Sequence, residues 1–366
     1  MRAKGMAALA AFCFIALVAF PMSGADAGSS DGYSSQLDAD GQLVYSQVAG
    51  ALEAVQADPV NTVGVSVDLR DALVLFESTE DAEAYARETV RTALAAMYYE
   101  DPMAVWLWDL PVKDVEVEVS TGPVTTKLTD SGYEKVYFAA TGVSFTLSVP
   151  EDMADDPATE QNELADRMDS VRKAAAAISV GGSVSEKVKA IADRLHGIRD
   201  SADEEGQVSN AYDALVVSQS SSAGIAAAFN YVCQLNGVEV MTVRGTVCDY
   251  KDGSTGSTGY WNVVRDGDSW YGVDVSWYDG DDRSPLMAGY GTETPESNGE
   301  RFGATHVADL DMTSGNSLVP VAISAEGYSW PDDRTFMEKW GTHVFAVIIV
   351  AVIVGVFVYA IRKGNI

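Results

Sequence analysis

Apolar residues recur along this chain with two periods, and the switches between them mark out its elements. Leu43, Val44, Val48, Leu52 and Val55 fall at helical spacing, which predicts a helix over residues 42–55 behind a turn at 37–41. The run VGVSVDL at 63–69 predicts a strand, and Ser78 caps a second helix that turns Ala84, Ala86, Val90, Leu94 and Met97 toward a core. Between residues 112 and 149 the period falls to two: VKDVEVEVS alternates, and KVYFAATGVSFTLSV reads as a pair of strands bent at Gly142. A helix is predicted from about residue 158 to 178, with Leu164, Met168, Val171, Ala174 and Ala175 inward, and Gly181-Gly182 breaks it. Ser183 then caps a helix whose Val184, Val188, Ile191, Ala192 and Leu195 share one face.

The most informative stretch lies at 218–281. A serine run opens an apolar helix carrying Phe229 and Cys233, and two aromatic strands follow, GYWNVV and SWYGVDVSW. This order suits a nucleophile at a helix start with its partners on neighbouring strands. Between them, residues 251–259 (KDGSTGSTG) read as a flexible loop.

Both ends of the chain carry targeting patterns. Arg2 and Lys4 precede an apolar run and then Ala25-Asp26-Ala27, which predicts a secretory signal peptide over residues 1–27. Residues 344–361, opening at Val344 and closing at Ile361, are apolar on every face and about the ~30 Å length of a bilayer core, with Arg362 and Lys363 behind them. The expected protein is a single-span membrane anchor with its body outside the cell and a short cytoplasmic tail at 362–366. Residues 329–343, with Trp330 and Trp340, form the juxtamembrane segment.

A formal charge of −30 argues against nucleic acid and anionic lipid as partners, because counterion release needs basic clusters. Cys13 lies in the leader, leaving Cys233 and Cys248 as either a disulfide or two free thiols. No cofactor or zinc fingerprint is present. Asp279, Asp281 and Asp282 crowd one turn without the spacing of a calcium loop, and they read as a solvated acidic turn rather than an ion site.

At three places the stretch 218–281 resembles the transglutaminase-like superfamily, which has a papain-like fold. That family's pattern runs roughly C-x-G-Y-A-x-A-F, H-x-W-N and W-Y-x-V-D-x-T-W. Here the matching residues are Ser222 to Phe229 (SAGIAAAF), Gly259 to Asn262 (GYWN) and Trp270 to Trp277 (WYGVDVSW). Weaker resemblances lie at MYYEDP before the core, at EKVKAIADRL, at NAYDALV, and at Thr305-His306. The resemblance implies an α+β fold: a papain-like core of helix plus antiparallel sheet over 181–328, behind an N-terminal α/β region over 28–180. It also implies a catalytic triad, which this chain departs from: Ser222 stands for the cysteine, Gly259 for the histidine, and Asp274 alone matches.

A serine needs a positioned base, glycine offers none, and the phenol of Tyr260 is a poor one near neutral pH. Asp274 is therefore expected to have no imidazole to orient. The expected function is a catalytically inactive module that binds a protein or peptide, with Tyr260, Trp261, Asn262 and Trp277 as groove candidates, or that serves structurally. The alternative is acyl transfer or hydrolysis through Ser222 with a base such as His306 or Tyr260. For His306 itself, the sequence favours a structural hydrogen-bonding role.

Overall fold

The computed structural model describes residues 32–363 apart from 58–59, 70–73, 105–114, 129–131, 133, 150–162, 201–208, 249–255, 295–299, 311–317 and 332–335. The leader and Trp106-Leu107-Trp108 lie outside the described residues.

Helix α1 (Ala39–Ala57) starts three residues earlier than the apolar period suggests, because Asp38 accepts the Gly41 N–H at 2.8 Å and so caps the first turn. Strand β1 (Thr62–Asp68) and helix α2 (Thr79–Glu100) follow, the latter capped by Ser78 through the Asp81 N–H. Strands β2 (Val117–Leu128) and β3 (Glu134–Ser148) complete an antiparallel sheet of order β1-β3-β2. Here the sequence reading is corrected. The stretch around Gly142 is one continuous strand instead of two, and its pairing with β2 slips twice: Thr141, beside Gly142, is the extra residue on β3, and Val124 is the extra residue on β2, next to Pro123, which cannot donate to the ladder.

Helices α3 (Glu163–Ala176) and α4 (Val184–Leu195) lead into the second unit, α4 opening on a full capping box between Ser183 and Glu186. Two short parallel strands, β4 (Arg199–Asp200) and β5 (Gln219–Ser220), flank a π-helical turn over Asp213–Val217. That turn ends at Ser218 in the left-handed region (φ 60°), which redirects the chain into helix α5 (Ser222–Leu235). A four-stranded antiparallel sheet of order β8-β7-β6-β9 then forms from β6 (Val240–Val247), β7 (Ser257–Asp266), β8 (Ser269–Val273) and β9 (His306–Ala308). A single helical turn, α6 (Phe302–Thr305), leads directly into β9. Ser257, Thr258 and Gly259 belong to β7, so the loop expected there ends earlier than its composition suggests.

Side chains alternate across this sheet as the pleat requires. Val240, Val264 and Val273 pack with Ile225, Phe229, Val232 and Cys233 of α5. Met241, Val243, Trp261, Val263 and Trp270 join a second cluster that also holds Phe302 and residues of α1, α2 and β3. That cluster takes residues from both sides of position 180. Tyr33 reinforces the join by donating to Thr242 O at 3.3 Å, and Tyr99 by donating to Leu310 O at 3.3 Å.

Among the described residues Cys233 and Cys248 are free thiols. Cys233 lies beside the start of β6, its carbonyl accepting the Val238 N–H, whereas Cys248 follows the far end of that strand. Eight residues of strand at ~3.3 Å each separate the two ends, far beyond the 4.4–6.8 Å Cα span of a disulfide. Burial alone pushes the Cys233 thiol upward. Iodoacetamide is therefore expected to alkylate Cys248 and spare Cys233 in the folded protein, with both modified after denaturation; peptide mass mapping reads the result.

The last helix, α7 (Phe336–Arg362), has 27 residues. Counted over the side chains described, no helix is both long and apolar enough to cross a membrane, and several α7 side chains fall outside that count. Its full sequence has no charged residue between Val344 and Ile361, and Phe345, Val347, Ile348 and Val350, which point to different sides of the helix, are each more than half exposed.

Candidate functional site

Ser222 is the first residue of α5, an apolar helix with no acidic residue in its first turn. Close packing holds that turn in place. A Cβ at Gly224 would collide with Asn210 O and Ser220 Oγ, so only glycine lets the helix start lie this near the preceding segment. Asn210 is itself buried, and its side chain accepts the Tyr212 N–H at 2.8 Å.

The Ser222 hydroxyl is occupied by the sheet. Strand β8 pairs with β7 only as far as Asn262↔Val273, two residues short of Tyr260, and the Tyr260 N–H donates to Ser222 Oγ at 3.2 Å. The hydroxyl thus acts as a cap on the strand. Among the described residues no imidazole is hydrogen-bonded to it. Ser222→Ala leaves that N–H without its acceptor and is expected to cost about 1 kcal/mol in denaturant unfolding, the worth of one net hydrogen bond.

Gly259 lies opposite Gly245 on β6, and a Cβ there would run into the side chain of Val247, 2.9 Å from its Cβ. There is consequently no space for an imidazole at 259 without cutting back Val247. Restoring the family residues as Ser222→Cys with Gly259→His is expected to give no transferase activity unless Val247 is also reduced to alanine or glycine, as read by amine incorporation.

The groove candidates differ in their exposure. Trp261 and Asn262 are buried, and the Asn262 amide donates to Ala226 O at 3.1 Å and to Thr242 Oγ1 at 3.3 Å. Asn230 of α5 donates to the same Thr242 hydroxyl at 3.0 Å. The side chains of Asn230, Thr242 and Asn262 therefore form a hydrogen-bonded bridge between α5, β6 and β7. Sequence reasoning missed Asn230 and Thr242, although an asparagine on the buried face of an apolar helix is a usable signal. Tyr260 packs on Ala223 and Ala226, and Trp277 is half-buried.

Asp274 does have an imidazole, contrary to the sequence-based expectation. His306, at the start of β9, places Nε2 3.0 Å from Asp274 Oδ2, with Nδ1 2.8 Å from Thr305 Oγ1. The other carboxylate oxygen accepts the Ser276 N–H at 2.8 Å and the Ser276 hydroxyl at 2.6 Å. The His306 ring stacks on Phe302 with centroids 3.9 Å apart, and it meets Trp261 and Trp277 edge to face at 5.1 and 4.8 Å. The His306 side chain is 0% exposed and that of Asp274 2%.

The sequence of contacts, hydroxyl to imidazole to carboxylate, copies the connectivity of a nucleophilic triad. It cannot act as one, because Thr305 is wholly buried and no substrate reaches its oxygen. Both ring nitrogens of His306 are engaged, so neither is directed to Ser222. The acidic turn is organised from within, with Asp279 Oδ1 accepting the N–H groups of Asp281 and Asp282 at 2.9 Å each. Those two bonds hold the Asp279 carboxyl below the usual range. Among the described residues no cluster of metal-ligating side chains is found.

No family model matches the chain, and no curated protein does. Among solved structures it is similar to a transglutaminase, with 13% identity and a TM-score of 0.26 over 42% of this chain and 44% of that one. It is also similar to a provisionally assigned cysteine protease from Cytophaga hutchinsonii, with 12% identity and a TM-score of 0.24 over 44% of this chain and 65% of that one. The chain thus spans less than two thirds of either protein, and its mixed α+β architecture is read from its own helices and antiparallel sheets.

Proposed function

We propose that this protein is a membrane-anchored, extracytoplasmic module on a papain-like, transglutaminase-type core, and that it performs no acyl transfer at Ser222. Its role is structural or the binding of a protein or peptide. One observation carries the reading: the imidazole nearest the triad-equivalent residues is sealed against Asp274 and Thr305, while the Ser222 hydroxyl accepts a strand N–H. A serine without a base in reach is not activated at neutral pH, and losing a triad member costs several orders of magnitude in rate. The burial of Trp261 and Asn262 favours the structural half of the reading, since neither can touch a ligand on the surface.

Anchoring rests on α7 and on the uncharged run within it. Two measurements test the proposal. Full-length protein incubated with amine and glutamine donors should give the same absence of product as Ser222→Ala; Ser222-dependent turnover contradicts the inactive reading. The full chain should sediment with membranes and resist carbonate extraction, whereas a chain ending before Phe336 should be released; a soluble full chain contradicts the anchor.

A further inference from the structure

Two carboxylates and one phenol meet where helix α1 begins. The Tyr85 hydroxyl, on α2, lies 2.8 Å from Asp38 Oδ2 and 3.0 Å from Asp40 Oδ2, while Asp38 Oδ1 accepts the Gly41 N–H at 2.8 Å. A phenol has one proton, and an ionised carboxylate only accepts. If Tyr85 donates to Asp38, its oxygen meets Asp40 as an acceptor, and an ionised Asp40 would set one acceptor against another. Splitting the proton between two ionised carboxylates would weaken both bonds and hold two like charges across one hydroxyl. A proton on Asp40 removes the conflict, because its O–H then donates to the Tyr85 oxygen and each contact has a donor.

Burial decides which carboxyl keeps that proton. Asp38 is exposed and caps the helix, so it is the member that ionises. Asp40 is 3% exposed, and its Oδ1 has no hydrogen-bond partner. A charge there would be buried with one shared bond, and the favourable dipole of the first helical turn does not offset that penalty. Burial pushes the Asp40 carboxyl above the usual carboxylate range; the Tyr85 contact works against the shift and the Asp38 charge works with it. The Tyr85 phenol is pushed up as well, by burial first and then by the two carboxylates, and keeps its own proton.

We infer that Asp40 keeps its proton in the folded protein and donates it to Tyr85, which makes Asp40, Tyr85 and Asp38 a proton-operated clasp between α1 and α2. The groups facing Asp40 are Asp38, on the turn before its own helix, and Tyr85. On α2 the charges one turn from Tyr85, Asp81 and Glu88, are engaged by Ser78 and Thr92, and Glu83 pairs with Arg87. Strand β1, which also packs on α1, has Asp68 as its one charged residue. Among the described residues no cation ion-pairs with Asp40. The clasp closes the segment leading into α1, where Tyr33 donates to Thr242 O and Gln36 pairs with the Val319 backbone, so it steadies the stretch that ties α1 to β6. Because the folded chain holds the proton more tightly than the unfolded one, the contribution is complete below the ordinary aspartate range and is lost as pH rises through the raised value.

The test is a carboxyl carbon-13 titration of the full chain, labelled at aspartate and held in lipid nanodiscs. Asp40, assigned by the loss of its signal in Asp40→Asn, should take up its proton at higher pH than the exposed aspartates, whose ordinary value is about 3.9; a midpoint at or below theirs overturns the inference. Asparagine is close in shape to the protonated acid, so in urea unfolding the stability of Asp40→Asn relative to the wild type should rise from about pH 4 to about pH 8. A difference that stays constant with pH overturns the clasp. If Asp40→Asn does not fold, assignment through the Asp40 backbone lets the wild-type titration decide alone. An unshifted Asp40 would leave the reading of Ser222 intact, so the two fail separately.

Discussion

Asp274→Ala is expected to cost the protein about 2–4 kcal/mol in urea unfolding, because it takes the acceptor from three donors, the His306 ring and the Ser276 N–H and hydroxyl, and a buried donor left unpaired costs about 1–3 kcal/mol. The loss exceeds the value of the contact between Asp274 and His306 itself, because His306 would remain sealed with one nitrogen unpartnered, and Ser276 would lose an acceptor for both its N–H and its hydroxyl. Set against a typical domain stability of about 5–15 kcal/mol, that is a large fraction. Asp274→Asn keeps the shape and one acceptor, and should cost clearly less. His306→Ala should match Asp274→Ala closely, and the double variant should be far from additive, since the two residues share one interaction.

The second large effect is expected at Gly245→Ala, about 3 kcal/mol or more. A Cβ at 245 would collide with Val307 O and would lie 2.8 Å from Ala308 Cα and 2.7 Å from Cη2 of Trp261. Two of those three neighbours are backbone of β9, so relief requires β9 to move off β6. Since β9 begins with His306, the same shift breaks the contact with Asp274 some distance away. Gly245→Ala combined with His306→Ala should accordingly cost little more than Gly245→Ala alone. Hydrogen exchange should show the Val307 and Asp309 amides, which face β6, losing protection in Gly245→Ala while α5 retains it. Equal loss across α5 would mean that the substitution unfolds the whole sheet instead.

Much of the fold was legible in the sequence because the elements obey local rules. The caps at Ser78 and Ser183, the apolar face of α5 and the period-two strands are each written within a few neighbouring residues. Errors arose where a long-range contact decides. Gly142 lies inside a continuous strand because it is paired on both sides, with Asp68 of β1 and Ser120 of β2, while the distortion beside it is an extra residue at Thr141 that the long-range register sets. The candidate site divides in the same way. The positions of Ser222, Gly259 and Asp274 could be read from motifs, but the partner of Asp274 could not, because His306 is 32 residues further on and reaches it only through the β6–β9 pairing. Nor could the burial of Trp261 be read, since which face of β7 is covered depends on the N-terminal helices packing against it.

The central claim is that the Ser222 hydroxyl serves the sheet and has no base. The most direct measurement is labelling of the full-length protein by a fluorophosphonate, with the modified residue mapped by mass spectrometry and Ser222→Ala as the blank. The account predicts no adduct at residue 222 above that blank under conditions that label an active serine hydrolase to completion. A stoichiometric adduct on Ser222 would mean that a proton acceptor reaches its oxygen, and would contradict the account.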